Sequence, residues 1–227
     1  MKRTHNTMNS DESETSNKRI KPTILGTPKK IVLLGESSIG KSTFFDKMNN
    51  LANSDYQFPK NYNATDNFDF NRIDINTNKG VVTIDLWDTA GQENRGGKLR
   101  DAYLKGADGV LLLYDMSNKE TIVNISKWLD QVKRIAPTIP IAVIGNKADK
   151  FSDLQQTEAV KIRDCNIERD IGHKKFKNFL ISIKEDTHLE SSSSYWSSNV
   201  TVKEEPGCMV GLEYVISTIF KTPLTLI

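Results

Sequence analysis

Ile31-Val32-Leu33-Leu34-Gly35-Glu36-Ser37-Ser38-Ile39-Gly40-Lys41-Ser42-Thr43 decides the fold. Four apolar residues in a row have the length and composition of a strand buried on both faces. A turn with two glycines follows, and Lys41 to about Leu51 reads as a helix. The turn fits the pattern GxxxxGK[ST]. Its glycines let successive backbone N–H groups turn inward around phosphate oxygens, and the helix N-terminus adds its positive dipole end. Gly35 through Thr43 are therefore expected to wrap a nucleotide's phosphates. Lys41 would reach the β- and γ-phosphates, and the Ser42 hydroxyl would ligate Mg²⁺.

Outward from this turn, strand and helix patterns alternate. Phe68–Ile75 and Val81–Trp87 flank Asn76-Thr77-Asn78-Lys79-Gly80, a hairpin signal. Val82, Ile84 and Leu86 alternate, whereas the partner strand changes phase between Phe70 and Ile73, which predicts a bulge. Gly109–Tyr114 and Ile139–Ile144 are further buried-strand candidates. Between them Ile122, Ile125, Leu129, Val132 and Ile135 recur at helical spacing, which predicts one helix over 120–135. A weaker helix around Thr157–Cys165 leads to a strand at Phe179–Ser182, and Gly211–Lys221 closes with an amphipathic helix. The expected fold is α/β: a six-stranded, mostly parallel sheet flanked by about five helices. Residues 1–27, polar and without apolar period, read as a disordered extension to a domain over 28–223. The Ser-rich stretch 186–206 reads as a polar surface insertion.

Two further motifs sit at strand ends, where α/β sheets bind ligands. In Asp88-Thr89-Ala90-Gly91-Gln92, Asp88 is placed to hold Mg²⁺ through water, and Gly91 would let a backbone N–H approach the γ-phosphate. Asn146-Lys147-Ala148-Asp149 is the base-reading candidate. Guanine offers N1–H and a 2-amino group as adjacent donors that one carboxylate can accept together. Adenine offers neither, so Asp149 would be left unpaired beside it, a discrimination of about 10²- to 10⁴-fold.

Composition narrows the setting. The 227 residues are 37% apolar and 26% charged, with a formal charge of +2. That size buries a core without staples and carries no general nucleic-acid footprint. Residues 1–30 concentrate seven Lys or Arg against three acids. Lys18-Arg19-Ile20-Lys21 has the composition of a nuclear import signal, although short basic runs are usually just solvated. Cys165 and Cys208 have no metal-ligand spacing, which implies a reducing compartment, cytoplasm or nucleus. His5, His173 and His188 are scattered and read as surface residues. No lipidation motif or membrane span is expected, and hence no stable membrane anchor.

Three motifs in this order resemble the small GTPases of the Ras superfamily, from about Lys30 to Asp149. Gly96-Gly97-Lys98-Leu99-Arg100-Asp101-Ala102-Tyr103, with one inserted residue, and Phe58-Pro59-Lys60-Asn61-Tyr62-Asn63-Ala64-Thr65 are most similar to the Ran branch. The resemblance implies a phosphate-loop G domain that binds GTP or GDP with Mg²⁺ and works as a switch, with nucleocytoplasmic transport as one setting. Thr65 would bind Mg²⁺ and sense the γ-phosphate, Tyr62 would close over the phosphates, and Phe58 would pack on the guanine edge. Lys147 would lie along the base. Ser182-Ile183-Lys184 would form the last base-contacting loop, with the Ile183 N–H donating to the guanine oxygen. Gln92 would orient the attacking water, with Lys41 and Thr65 completing the catalytic set. An exchange factor, an activating protein and effectors are the implied partners of a monomer.

The sequence departs from that branch in places. Asp66-Asn67 follow Thr65 where the family has an apolar residue and Gly, Arg95 replaces an aromatic residue, and Lys98 is inserted. Ser37 and Ser38 occupy mid-loop positions where Gly or Ala is common, and Ran's acidic tail is missing. A trafficking GTPase of the Rab type and a GTP-binding module with negligible hydrolysis are the alternatives.

Overall fold

Ile31, Val32, Leu33 and Leu34 are all at most 1% exposed, and they divide between two cores. Ile31 and Leu33 face one cluster, Val32 and Leu34 the other. The run is continuous rather than alternating because both faces of its strand are covered. The computed structural model describes residues 23–50, 68–89, 97–150, 176–184, 187–191, 200–203 and 207–227.

The strands are β1 (Lys29–Leu34), β2 (Phe68–Thr77), β3 (Gly80–Thr89), β4 (Gly109–Asp115), β5 (Ile141–Asn146), β6 (Phe176–Ser182), β7 (Thr187–Ser191) and β8 (Val200–Lys203). They form one sheet in the order β2-β3-β1-β4-β5-β6-β7-β8. The neighbours from β3 to β6 run parallel. β2 is antiparallel to β3, and β7 and β8 add antiparallel pairings at the far edge.

Five α-helices are described: α1 (Lys41–Asn49), α2 (Gly97–Leu104), α3 (Lys119–Val123), α4 (Ile125–Ile135) and α5 (Gly207–Phe220). α1 and α5 cover one face, where Phe44, Phe45, Met48, Leu212, Val215 and Ile216 meet the inward residues of β1, β3 and β4. α2, α3 and α4 cover the other, through Leu104, Ile122, Trp128, Leu129 and Val132.

Several expectations need correction. The sheet has eight described strands rather than six, because 186–206 is not only loop: its β7 and β8 extend the sheet past β6. No bulge interrupts β2, whose pairing with β3 is unbroken from Phe68↔Thr89 to Thr77↔Gly80. The phase change has a different cause. Ile73 and Ile75 pack into the α1/α5 core, while Phe68 and Phe70 lie on the opposite face against Trp87. The helix expected over 120–135 is two helices, jointed at Asn124 (φ −79°, ψ −5°), whose N–H donates to the Glu120 carbonyl. The helix expected at Thr157–Cys165 lies outside the described residues.

Both chain ends also enter the fold beyond the 28–223 limits. The Leu25 N–H donates to the Val81 carbonyl at 2.7 Å, and the Val81 N–H to the Thr23 carbonyl at 2.8 Å. Leu224 is 1% exposed, Leu226 bridges Thr77, and the Ile227 N–H donates to the Asn76 carbonyl. Leu224→Ala is therefore expected to cost about 2–4 kcal/mol of unfolding free energy in a urea titration, as for other buried leucines. A loss below about 0.5 kcal/mol, the scale of a surface change, would mean that the tail does not pack there.

Candidate functional site

The carboxyl ends of β1, β3, β4, β5 and β6 converge on the loop that joins β1 to α1. Gly35 (φ +130°) is buried, and a Cβ there would lie 2.3 Å from the Leu113 carbonyl oxygen. Gly40 (φ +101°) ends the loop, and a Cβ there would meet Asn146 Nδ2 at 2.4 Å. Both positions exclude a side chain on space as well as on backbone conformation. Ser38 adopts φ +61° without being glycine and is exposed. That local strain is of a kind held at binding sites by the surrounding contacts.

Gly40 caps α1 with no side-chain hydrogen bond, and no acid lies in the first turn. The opening amides of this helix therefore present their partial positive charge to the loop.

Asn146 joins the two halves of the site. Its Nδ2 donates to the Ile39 carbonyl at 2.9 Å, and its Oδ1 accepts the Ile183 N–H at 3.2 Å. Lys147 (φ +66°) reaches across the loop, its Nζ donating to the Ser38 carbonyl at 2.8 Å and to Asp115 Oδ2 at 2.7 Å. The Ser182 hydroxyl donates to Asp149 Oδ1 at 2.8 Å and so orients that carboxylate. The Ile183 N–H, expected to meet a guanine oxygen, donates here to the buried Asn146 amide oxygen, which needs a donor. Lys184 is exposed.

Lys41 is 5% exposed and donates to the Gly35 and Glu36 carbonyls at 3.1 and 2.6 Å. Burial lowers its pKa from 10.5 to about 8, against the opposing pull of Asp88 and Glu36. Asp88, at the end of β3, is fully buried. The Ser42 hydroxyl and the Asp88 carboxylate are hard oxygen donors of the class Mg²⁺ takes. Among the described residues no group of three or more His, Cys, Asp or Glu could hold a metal ion.

Asp115 was not singled out from sequence. Its Oδ1 accepts from the Ser117 N–H and hydroxyl at 2.8 and 2.6 Å, and its Oδ2 pairs with Lys147. Burial alone would raise its pKa, but the hydrogen bonds from Lys147 and Ser117 outweigh that and lower it. An acid at the end of β4, just before the helix-capping Asn118, was the signal available. Thr65, Gln92, Gly91, Phe58 and Tyr62 lie outside the described residues.

The model of the Ras family matches residues 30–198, most of the chain. The chain belongs to the Ras family of small GTPases. Among similar proteins, Ras-related protein Rab-7b of Paramecium octaurelia is 31% identical over 168 residues, covering 72% of this chain and 76% of that protein. Rab-7a of the same organism matches to the same extent. The mouse Ras and EF-hand domain-containing protein homolog is 40% identical over 133 residues, 58% of this chain and 20% of that protein. None of these is a Ran protein, so the Ran branch expected from Gly96–Tyr103 gains no support from them. A short segment weighs less than similarity over most of a domain.

Lys41 gives this Ras-family site a pH signature. A lysine whose folded pKa is lowered destabilises the fold while charged, below about pH 8, and that penalty fades as pH rises toward 10.5. Bound phosphates should restore its charge. GDP binding near pH 8 is then expected to take up a fraction of a proton, measured by calorimetry in buffers of different ionisation enthalpy, and affinity should fall above that pH. Buffer-independent heats at pH 8 would show that Lys41 does not titrate on binding.

Proposed function

We propose that this chain is a guanine-nucleotide switch that binds GTP or GDP and hydrolyses GTP slowly. The observation that carries the reading is the double grip of Asn146. It ties the phosphate loop, through the Ile39 carbonyl, to the loop that carries Ser182 and Ile183. Lys41 for phosphates and Lys147 with Asp149 for a base therefore belong to one pocket. Lys147 lies across the loop and Asp149 is oriented by Ser182, an arrangement suited to accepting guanine's two adjacent donors.

In this reading Lys41 exchanges its carbonyl partners for phosphate oxygens. Its burial beside Asp88 keeps that charge in a low-dielectric setting, where it is worth more than in water. Ser42 and Asp88, together with Thr65, would hold Mg²⁺, which when bound neutralises phosphate charge. Gln92 would hold the attacking water in line. Phosphoryl transfer asks for positioning and charge stabilisation more than for a strong base.

A switch also needs a face that partners can read. Phe68 and Phe70 are 43% and 47% exposed. Phe68 stacks on Trp87 at 5.1 Å, and Tyr103 of α2 completes the cluster. This aromatic patch lies where β2 and β3 adjoin the segments carrying Thr65 and Gln92, and exposed apolar clusters of this kind favour protein partners. Among branches, the relatives named Rab-7 favour a Rab-like trafficking GTPase over a Ran-like transport GTPase. An exchange factor and an activating protein would set its state.

Calorimetry with GDP, GTP, ADP and ATP tests the pocket. Guanine nucleotides should bind about 10²- to 10⁴-fold more tightly, and Asp149→Ala should abolish most of that preference. Single-turnover hydrolysis should run on the order of 10⁻⁴ to 10⁻² s⁻¹ and slow further with Gln92→Leu. Equal affinity for ADP and GDP would overturn the guanine reading; an unchanged rate in Gln92→Leu would leave a binding module without this catalytic residue.

A further inference from the structure

Glu36 is the one acidic residue in the loop from Gly35 to Ser42. A carboxylate beside bound phosphates is electrostatically unfavourable, so where its side chain goes matters. Its carbonyl accepts from Lys41 Nζ, and its Oε1 accepts from Asn124 Nδ2 at 2.5 Å. Asn124 comes from the opposite side of the site, at the joint between α3 and α4, and is 8% exposed. Its own backbone is fixed: the N–H donates to the Glu120 carbonyl at 3.0 Å, and its carbonyl accepts from the Trp128 N–H at 3.2 Å. The amide that reaches Glu36 is therefore carried on hydrogen-bonded helical backbone.

We propose that Asn124 is a positioning residue of the nucleotide site, holding the Glu36 carboxylate at a fixed point and thereby setting the entry limb of the phosphate loop. Asn146 fixes the exit limb through the Ile39 carbonyl, so one asparagine grips each end of the loop. The inference rests on the guanine-nucleotide reading above.

Release of a fluorescent GDP analogue from the full chain tests it. Asn124→Ala should speed release about tenfold, the effect of losing one hydrogen bond to a charged group. Asn124→Asp, of nearly the same shape but repelling Glu36, should speed it more. Combined with Glu36→Ala, Asn124→Ala should change release less than twofold, because the contact is already gone. A purely structural role at the helix joint would instead give the same acceleration with or without Glu36→Ala, and that result would overturn the proposal. Should the Asn124 variants not fold, Glu36→Gln, which can still accept from Asn124, must release GDP more slowly than Glu36→Ala; equal rates would overturn it as well. If the unmodified chain binds no GDP, the function proposed above fails with it. If it binds GDP and the variants behave identically, only the role of Asn124 fails.

Discussion

The amide of Asn146 is the constraint on which the site depends. It is 4% exposed, so both its donor and its acceptor need partners inside the protein. They find them on different segments, the Ile39 carbonyl and the Ile183 N–H. The distance between those segments is thus set by one planar group of fixed size. Gly40 follows from the same packing, since any Cβ there would displace Asn146 Nδ2. A residue with one end apolar would leave a buried carbonyl or N–H unsatisfied, at a cost of about 1–3 kcal/mol. The pocket is rigid because its hydrogen-bond accounting closes.

Charge is arranged differently. Lys41 and Asp88 are both buried, and the pKa of Lys41 falls to about 8 because burial outweighs Asp88 and Glu36. An anion beside Lys41 would favour its charged form and oppose that shift. Asp115 shows the reverse case. Burial would raise its pKa, but Lys147 and Ser117 together overcome that, and the pair is stable without a ligand. In the proposed function, the side that would face phosphates is thus electrostatically frustrated and the side that would face the base is satisfied. That division matches what each must do: admit a variable charge in one place and hold a fixed shape in the other.

Much of this was legible in the sequence because the signals were local. Ile31–Leu34 could only be a strand covered on both faces, and GxxxxGK[ST] after it fixed the turn and helix. What was missed depends on partners far along the chain. Asn124 reads as one more polar position in a helical pattern until Glu36, 88 residues away, is found against it. The hydrogen bond from the Ile183 N–H to Asn146 joins residues 37 apart in the chain and has no local signal either. The phase change in β2 looked like a bulge because a sequence records that Phe70 and Ile73 face opposite ways, but not that both faces have something to meet. β7 has a single apolar residue and β8 alternates over only four residues, so the signal was too short, and their pairing supplies the order.

The β2–β3 hairpin links these observations to switching. Its turn is fastened from two sides: Thr23 and Leu25 bond Val81, the Asn78 N–H donates to the Thr225 carbonyl, and Ile227 bonds Asn76. Gly80 is hemmed in by the Thr23 carbonyl, 2.4 Å from where a Cβ would sit. Sliding the hairpin by even one residue would break these bonds together and turn Ile73 and Ile75 out of the core. The opposite end of the same hairpin carries Phe68, Phe70, Trp87 and Asp88, with the aromatic cluster on its open face. A hairpin anchored at its turn resists a register shift, because that shift would cost all these bonds. In the proposed switch, a response to nucleotide is therefore favoured locally, at the aromatic end beside the phosphate loop.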